Sequence, residues 1–257
     1  MLFRSDLTPE GRLLYEKGRK LASEARNLQD SLMEHSEYLN RSLYLGGDAL
    51  TCSYALPWKL AAFRRLNPDV SFSYRHLDQD TLIEALFNGE LDIALVGYAS
   101  RHKKLESREC LKDEVVLVAA PSLNLRKKIT FHDLKKVPLI WFNGDRGLEL
   151  TVNQGLNAAD IAPKDMNLVM EISDLVFMKN LILTGMGASF LPMQTVIDEL
   201  NYCQLEVIEV EGLAINLTTH LLTKKDQKLR KVVSDFIAFA SAYDVKQVMA
   251  ERFKKNT

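Results

Sequence analysis

The stretch SLYLGGDALTCSYALPWKLAAFRRLNPDVSFSYRH, residues 42–76, decides the fold. An apolar run at 42–47 and a β-rich run at 70–76 flank a segment, 54–66, whose apolar residues recur with helical spacing. The same order continues, because a further helical pattern is followed by the strand-like run LDIALVG at 91–97. Strands that alternate with helices in this way predict a parallel sheet with helices on both of its faces.

A second series of strands and helices begins after Pro121, which directly follows the apolar run EVVLVAA at 114–120. We predict strands at 137–142, 167–172, 187–191, 204–210 and 215–223, and helices at 147–157, 174–184 and 227–243. No Gly/Ser-rich linker separates the two series, so we expect two α/β lobes joined by crossing strands. Small ligands usually bind in a cleft of this kind, outside the carboxyl ends of parallel strands.

A long helix is predicted before the first strand, from LTPEGRLLYEKGRKLASEARNLQDSL at 7–32 onward to about residue 39. Thr8 is a good N-cap, and Pro9 suits the first helical position because an N–H there would be unpaired in any case. Apolar and small residues repeat every seven positions in two sets offset by four, which is typical of a coiled-coil seam. The predicted dimerisation residues are Leu14, Gly18, Leu21, Ala25, Leu28 and Leu32. The alternative is a helix that lies along the core of its own domain.

Charge and composition argue against several classes of protein. The 33 Lys and Arg residues nearly balance the 34 Asp and Glu residues, so the chain has no overall basic field to attract nucleic acid. No run approaches the roughly 18 apolar residues of a membrane span, and the N-terminus lacks the apolar core of a secretory signal. The three cysteines lie far apart, which suits reduced thiols and gives no zinc-binding spacing. We therefore expect a cytoplasmic protein with no membrane partner and no bound metal or cofactor.

Enzyme motifs also fail on their spacing. GASFL at 187–191 lacks the second glycine of a nucleophile elbow. GMGASF at 185–190 follows a predicted helix, whereas the dinucleotide-binding pattern follows a strand. The five histidines show no paired-ligand spacing. We expect no enzymatic activity.

Four motifs resemble those of the LysR-type transcriptional regulators. FRSDLTPEG at 3–11 is similar to the end of that family's DNA-binding wing and the LTxxG start of its linker helix. Residues 46–72 resemble the first strand–helix–strand unit of the family's effector domain. NGELDIALVG at 88–97 and LILTGMGASFLP at 181–192 resemble two further signatures. The resemblance covers nearly the whole chain, from about residue 3 to residue 240, with the motifs in the family's order.

The resemblance implies a two-lobed effector domain like that of the type 2 periplasmic binding proteins, crossed twice by the chain. It divides the chain into a wing remnant and linker helix (1–42), an effector-binding domain (43–243) and a basic C-terminal tail (244–257). Lobe I would comprise 43–119 and 221–243, and lobe II would comprise 120–220. The implied function is transcriptional regulation by a homodimer or homotetramer, whose geometry changes when a small-molecule effector closes the lobes.

The chain departs from the family at its start. The family carries a winged helix-turn-helix before the linker helix, and this sequence begins at the last few residues of that domain. The recognition helix that would enter the major groove is not in the sequence. We therefore expect contact with promoter DNA only through the missing helix-turn-helix. The alternative is a stand-alone cytoplasmic solute-binding protein with no role on DNA.

The family's loop after the first strand places small hydroxyl residues at a helix N-terminus, where free N–H groups favour a carboxylate. Counted back from Pro57, these positions hold Asp48 and Leu50, while Thr51 and Ser53 are nearby hydroxyls out of register. Asp48 is either a simple N-cap or a residue that selects a cationic or amino-bearing effector. Asp48 and Thr51 are therefore ligand-binding candidates.

Further ligand-binding candidates come from the ends of predicted strands: His76, Tyr98, Asn143, Gly144, Asp145 and Ser173. Two of them have a plain structural alternative, because Ser173 is a plausible N-cap and His76 suits an ordinary surface position. Trp141 and Phe142 are expected to fill the core of lobe II, with the alternative that one of them lines the pocket.

Overall fold

The computed structural model describes residues 8–33, 41–47, 50–100, 102–225 and 227–244. The helices in those residues are α1 (Pro9–Met33), α2 (Leu50–Leu66), α3 (Gln79–Phe87), α4 (Phe131–Leu134), α5 (Arg146–Ala158), α6 (Leu175–Leu183), α7 (Met193–Asn201) and α8 (Lys231–Ala242). The strands are β1 (Ser42–Gly47), β2 (Ser71–His76), β3 (Ile93–Val96), β4 (Leu105–Ala119), β5 (Lys128–Ile129), β6 (Leu139–Phe142), β7 (Leu168–Ile172), β8 (Ser189–Pro192), β9 (Glu206–Val210) and β10 (Ile215–Lys224).

Lobe I is built on β1, β2, β3, α2, α3 and α8. β1 pairs in parallel with β2 on one side and with β3 on the other, as the sequence predicts. Phe63 of α2 and Phe236 of α8 meet edge to face at 5.2 Å on one face of this sheet. Leu82 and Leu86 of α3 pack on the opposite face. The predicted parallel sheet with helices on both faces is confirmed for this lobe.

Two long strands join lobe I to lobe II. β10 pairs antiparallel with both β3 and β4, so the sheet is mixed from this point onward. Cys110 on β4 and Leu221 on β10 lie in the core of lobe I. Val115 and Leu217, further along the same two strands, lie in the core of lobe II. The chain therefore crosses between the lobes twice, and it does so inside continuous strands.

Lobe II is built on β5 to β9 and α4 to α7. β6 and β7 form a parallel pair, while β8 and β9 each pair antiparallel with β4. Leu148 of α5, Met178 of α6 and Leu191 of β8 are buried in one continuous core. Lobe II thus has its own apolar core, in agreement with the separate series of strands and helices predicted after Pro121.

Several elements differ from the sequence-based prediction, including the short β5 and α4, which it omits. β4 begins at Leu105, well before the predicted 114. The prediction missed its first half because residues 105–113 are mostly charged or polar and give no continuous apolar run. α7 was not predicted, since it begins directly at the end of β8 with no polar turn between them. α8 begins at Lys231 and not at 227. The backbone of the preceding Arg230 is extended, and its guanidinium donates hydrogen bonds to the Asp92 carboxylate at 2.7 Å and to the Ser42 carbonyl at 2.9 Å.

Helix α1 begins as predicted and lies on lobe I through one polar face. The hydroxyl of Thr8 accepts a hydrogen bond from the N–H of Gly11 at 3.1 Å. Arg19 donates to the Glu90 carboxylate at 2.7 and 2.9 Å, and Arg26 donates to the Glu90 carbonyl at 3.0 Å. Burial raises the pKa of Glu90, but hydrogen bonds from Arg19 and from Arg75 outweigh it, so the pKa lies below its usual range.

The predicted seam of α1 faces away from lobe I. Leu14, Leu21 and Leu28 are 75%, 66% and 63% exposed. Ala25 is exposed as well, and a Cβ built on Gly18 meets no atom within 4 Å. The side chain of Leu32, like residues 34–40, lies outside the described part of the chain. The position of the seam fits a dimerising helix, although pairing with a second chain stays a prediction.

The helices within the described residues include none that is long and apolar enough to cross a membrane.

Candidate functional site

The two lobes meet where their parallel strands end. Gly97 directly follows β3 in lobe I, and Gly147 lies in the first turn of α5 in lobe II. A Cβ built on Gly147 would lie 2.7 Å from the Cα of Gly97, and its next two neighbours are also backbone atoms of that residue. The two backbones therefore touch at a distance that only glycine permits.

Asp145 is the buried acidic residue at this meeting point, with only 4% of its surface exposed. It caps α5, because its Oδ1 accepts a hydrogen bond from the N–H of Leu148 at 2.8 Å. Its Oδ2 accepts a second hydrogen bond from the N–H of Leu50, the first residue of α2 in lobe I. One carboxylate thus joins the N-termini of two helices that belong to different lobes.

Burial and hydrogen bonding act on this carboxylate in opposite directions. Burial raises the pKa of Asp145 above its usual range. The N–H groups of Leu148, Leu50 and Gly147 oppose that shift, and so does the charge of His76. His76 is exposed and is the last residue of β2. This predicted site residue therefore lies close enough to Asp145 to interact with it electrostatically.

Asn143, Gly144 and Ser173 come together beside Asp145. The N–H of Asn143 donates to the carbonyl of Ile172 at 3.0 Å. A Cβ on Gly144 would lie 2.2 Å from the carbonyl oxygen of Ser173, so the turn after β6 packs directly on the turn after β7. Both Asn143 and Ser173 are exposed at this edge.

The alternative role of Ser173 as an N-cap is wrong. The cap of α6 is the next residue, Asp174, whose Oδ1 accepts from the N–H of Phe177 at 2.7 Å. A carboxylate at that position also interacts favourably with the positive end of the helix dipole. The Ser173 side chain is therefore not engaged in capping and stays a candidate for contact with a ligand.

The three predicted aromatic residues are at least partly buried. Tyr98 is half-buried and packs on the α3 side of lobe I. Phe142 is 6% exposed in the core of lobe II, as predicted, whereas Trp141 is half-buried and lines a cavity of about 300 Å³ on that lobe. Asp48 and the side chain of Thr51 lie outside the described residues, so their roles stay predictions.

Sequence reasoning missed the contacts that connect the lobes. The N–H of Leu50 and the glycine pair Gly97 and Gly147 were not among the candidates. The sequence signals for this contact are a glycine directly after a buried strand and another at a helix start, because both mark a close approach of backbone.

Backbone donors at helix N-termini can bind an anion but supply no acid–base catalyst. Within the described ranges, moreover, no group of three or more His, Cys, Asp or Glu residues is placed to hold a metal ion.

Comparison with known proteins identifies the architecture. Residues 36–244 match the family described as LysR substrate binding domain. Over 238 residues, 91% of this chain, the sequence is 24% identical to a probable RuBisCO transcriptional regulator of Trichormus variabilis and covers 71% of that protein.

Two solved structures share the fold. Full-length CbnR complexed with its target DNA superimposes with a TM-score of 0.75 at 19% identity, covering 93% of this chain and 85% of that one. The regulatory domain of Synechocystis CcmR in complex with 2-PG gives a TM-score of 0.67 at 20% identity, covering 78% and 96%. The predicted resemblance and the two-lobed fold are confirmed, and a regulator is favoured over a stand-alone solute-binding protein.

Proposed function

Because the chain belongs to the LysR family through its substrate-binding domain, we propose that it forms the effector-sensing and oligomerisation part of a cytoplasmic transcriptional regulator. The observation that carries the proposal is the pair of lobes crossed twice by the chain, with strand ends and helix N-termini facing each other between them. Promoter DNA would be contacted through a winged helix-turn-helix that is not part of these 257 residues.

We propose that the effector is a small molecule bound between the lobes, beside His76, Asn143, Gly144 and Ser173. The similar CcmR domain was solved with the small molecule 2-PG, which supports this class of ligand. A ligand that contacts both lobes stabilises one relative arrangement of them over others, so it shifts the population of conformations. In a regulator, that shift alters how the linked subunits are arranged on the promoter.

We further propose that α1 joins two copies of the chain. The polar face of the helix is already occupied by Glu90 and Tyr44 of lobe I. The opposite face carries a heptad seam of exposed leucines with small residues between them, which suits knobs-into-holes packing against an identical helix. Isologous pairing of this kind is the commonest symmetry among soluble oligomers.

A thermal-shift screen with small carboxylates, phosphates and amines tests the effector site. A ligand at 100 times its Kd stabilises the folded protein by about 2.7 kcal/mol, which corresponds to roughly 5–11 °C in Tm for a protein of this size. We expect Asn143→Ala, at the cleft, to reduce the shift. Asn157→Ala is the matched control, since Asn157 is exposed near the far end of α5 and should leave the shift unchanged.

The same ligand distinguishes the regulator from the solute-binding alternative. Sedimentation velocity with and without the ligand should show an oligomer whose sedimentation coefficient changes on binding, because the proposed mechanism couples lobe closure to assembly. A monomer that binds the ligand and never associates would instead support a solute-binding protein and contradict the proposed function.

A further inference from the structure

The Asp145 carboxylate uses its two oxygens in two different lobes. Oδ1 accepts from Leu148 at the start of α5, and Oδ2 accepts from Leu50 at the start of α2. The side chain of Leu50 is 9% exposed and lies within the core of lobe II, although its helix belongs to lobe I. The first residue of α2 is therefore held against lobe II by both its side chain and its backbone N–H.

Two helix N-termini thus converge on one position. Each carries N–H groups that have no partner within the helix, together with the positive end of a helix dipole. Such a position favours a carboxylate or a phosphate. An ionised carboxylate is costly to bury unless it is well hydrogen-bonded. The N–H groups from both lobes meet this requirement for Asp145 only while the lobes stay together.

We propose that Asp145 is an internal ligand, a carboxylate supplied by lobe II that latches the two lobes together in place of a small carboxylate from solution. The latch rests on the geometry between the lobes alone. Where the proposed function also holds, an effector that carries a carboxylate must compete with Asp145 for the N–H of Leu50. The lobes can therefore stay together without a ligand at this position.

Asp145→Asn is the sharpest variant, because an amide has one acceptor oxygen where the carboxylate has two. The amide oxygen can accept from the N–H of α5 or from that of α2, but not from both. Its NH₂ group then faces the N–H of the other helix. Asn is as good an N-cap as Asp, so lobe II should still fold. Asp174→Asn is the matched control, since Asp174 caps α6 in an exposed position within lobe II.

Spin labels on the exposed Cys203 of lobe II and on Arg65→Cys, an exposed position of α2, report the distance between the lobes. Cys52 and Cys110 are buried and should resist labelling. We expect Asp145→Asn to shift the interlobe distance distribution to longer or broader values, and Asp174→Asn to leave it unchanged. A distribution in Asp145→Asn that matches the parent overturns the latch.

Chemical rescue provides an independent test. Asp145→Gly keeps a tolerated N-cap residue but leaves the N–H groups of both helices without the carboxylate, so we expect Tm to fall by roughly 2–12 °C. Sodium formate should restore at least half of that loss relative to sodium chloride at equal ionic strength, because formate can occupy the vacated position. The parent and Asp174→Gly should show no difference between the two salts.

Absence of rescue, or an equal formate effect in Asp174→Gly, overturns the proposal. Either result leaves the effector screen and the sedimentation experiment untouched, since neither of those depends on Asp145. Failure of the latch is in this way separable from failure of the proposed function.

Discussion

Replacing Gly147 by alanine inserts one methyl group at the point where the two lobes touch. The new Cβ would lie 2.7 Å from the Cα, 3.0 Å from the carbonyl carbon and 3.1 Å from the carbonyl oxygen of Gly97. Carbon atoms pack best at about 3.5 Å or more, so the closest contact is about 0.8 Å too short. All three neighbours are backbone atoms, so no side-chain rotation can relieve the overlap.

The overlap must be relieved by moving one lobe relative to the other. Overpacking of this kind costs about 1–3 kcal/mol. Alanine is also a better helix former than glycine by up to about 1 kcal/mol, which offsets part of the cost at this position in α5. With the middle of each range, we expect a net destabilisation of about 1.5 kcal/mol, or a fall in Tm of roughly 3–6 °C.

Differential scanning calorimetry at fixed protein concentration measures this change, because association with a second chain would otherwise alter Tm as well. Arg146→Ala is the matched control: Arg146 lies in the same turn of α5 and is exposed, so the free energy of unfolding should change by less than about 0.5 kcal/mol. Gly97→Ala approaches the same contact from lobe I, at 3.0 Å, and should lower Tm as well. A Tm for Gly147→Ala equal to or above that of the parent would refute the close approach of the lobes.

Three further predictions concern α1 and DNA. Leu21→Glu combined with Leu28→Glu places like charges along the predicted seam, so self-association should weaken at least tenfold, about 1.4 kcal/mol. Sedimentation equilibrium measures the association constant, and Leu13→Glu, which is exposed and off the seam, is the control. Glu90→Gln removes the carboxylate that anchors α1 and should destabilise the docking of α1 on lobe I by about 1–2 kcal/mol. Hydrogen exchange in α1 should then become faster, whereas Glu84→Gln, at a side chain that is 67% exposed, should have little effect. Because the pKa of Glu90 is depressed in the folded protein, this contribution is complete above the ordinary carboxyl pKa and is lost as the pH falls through the depressed value. Finally, these 257 residues alone should bind promoter DNA weakly and without sequence preference; tight, selective binding in a gel-shift assay at physiological salt would contradict this.

Local patterns in the sequence were sufficient for most of the architecture. The Thr8 cap and the strands at 42–47 and 215–223 were each recognised from a few neighbouring residues. Capping, apolar periodicity and β-propensity are short-range properties, so they can be read from the sequence without knowledge of distant contacts. The same short range explains the errors, since the first half of β4 carries too many charged residues to give an apolar run.

Only the tertiary structure decided what joins the lobes. Sequence reasoning placed Asp145 at a strand end, but its bond to the N–H of Leu50 spans 95 residues and involves a backbone group that every residue carries. The contact of Gly97 with Gly147 is likewise set by how two folded lobes approach each other. A sequence shows where an acidic side chain or a glycine stands. Which backbone atoms pair across a cleft depends on the distance between the two lobes, and that distance is set by the strands that cross between them.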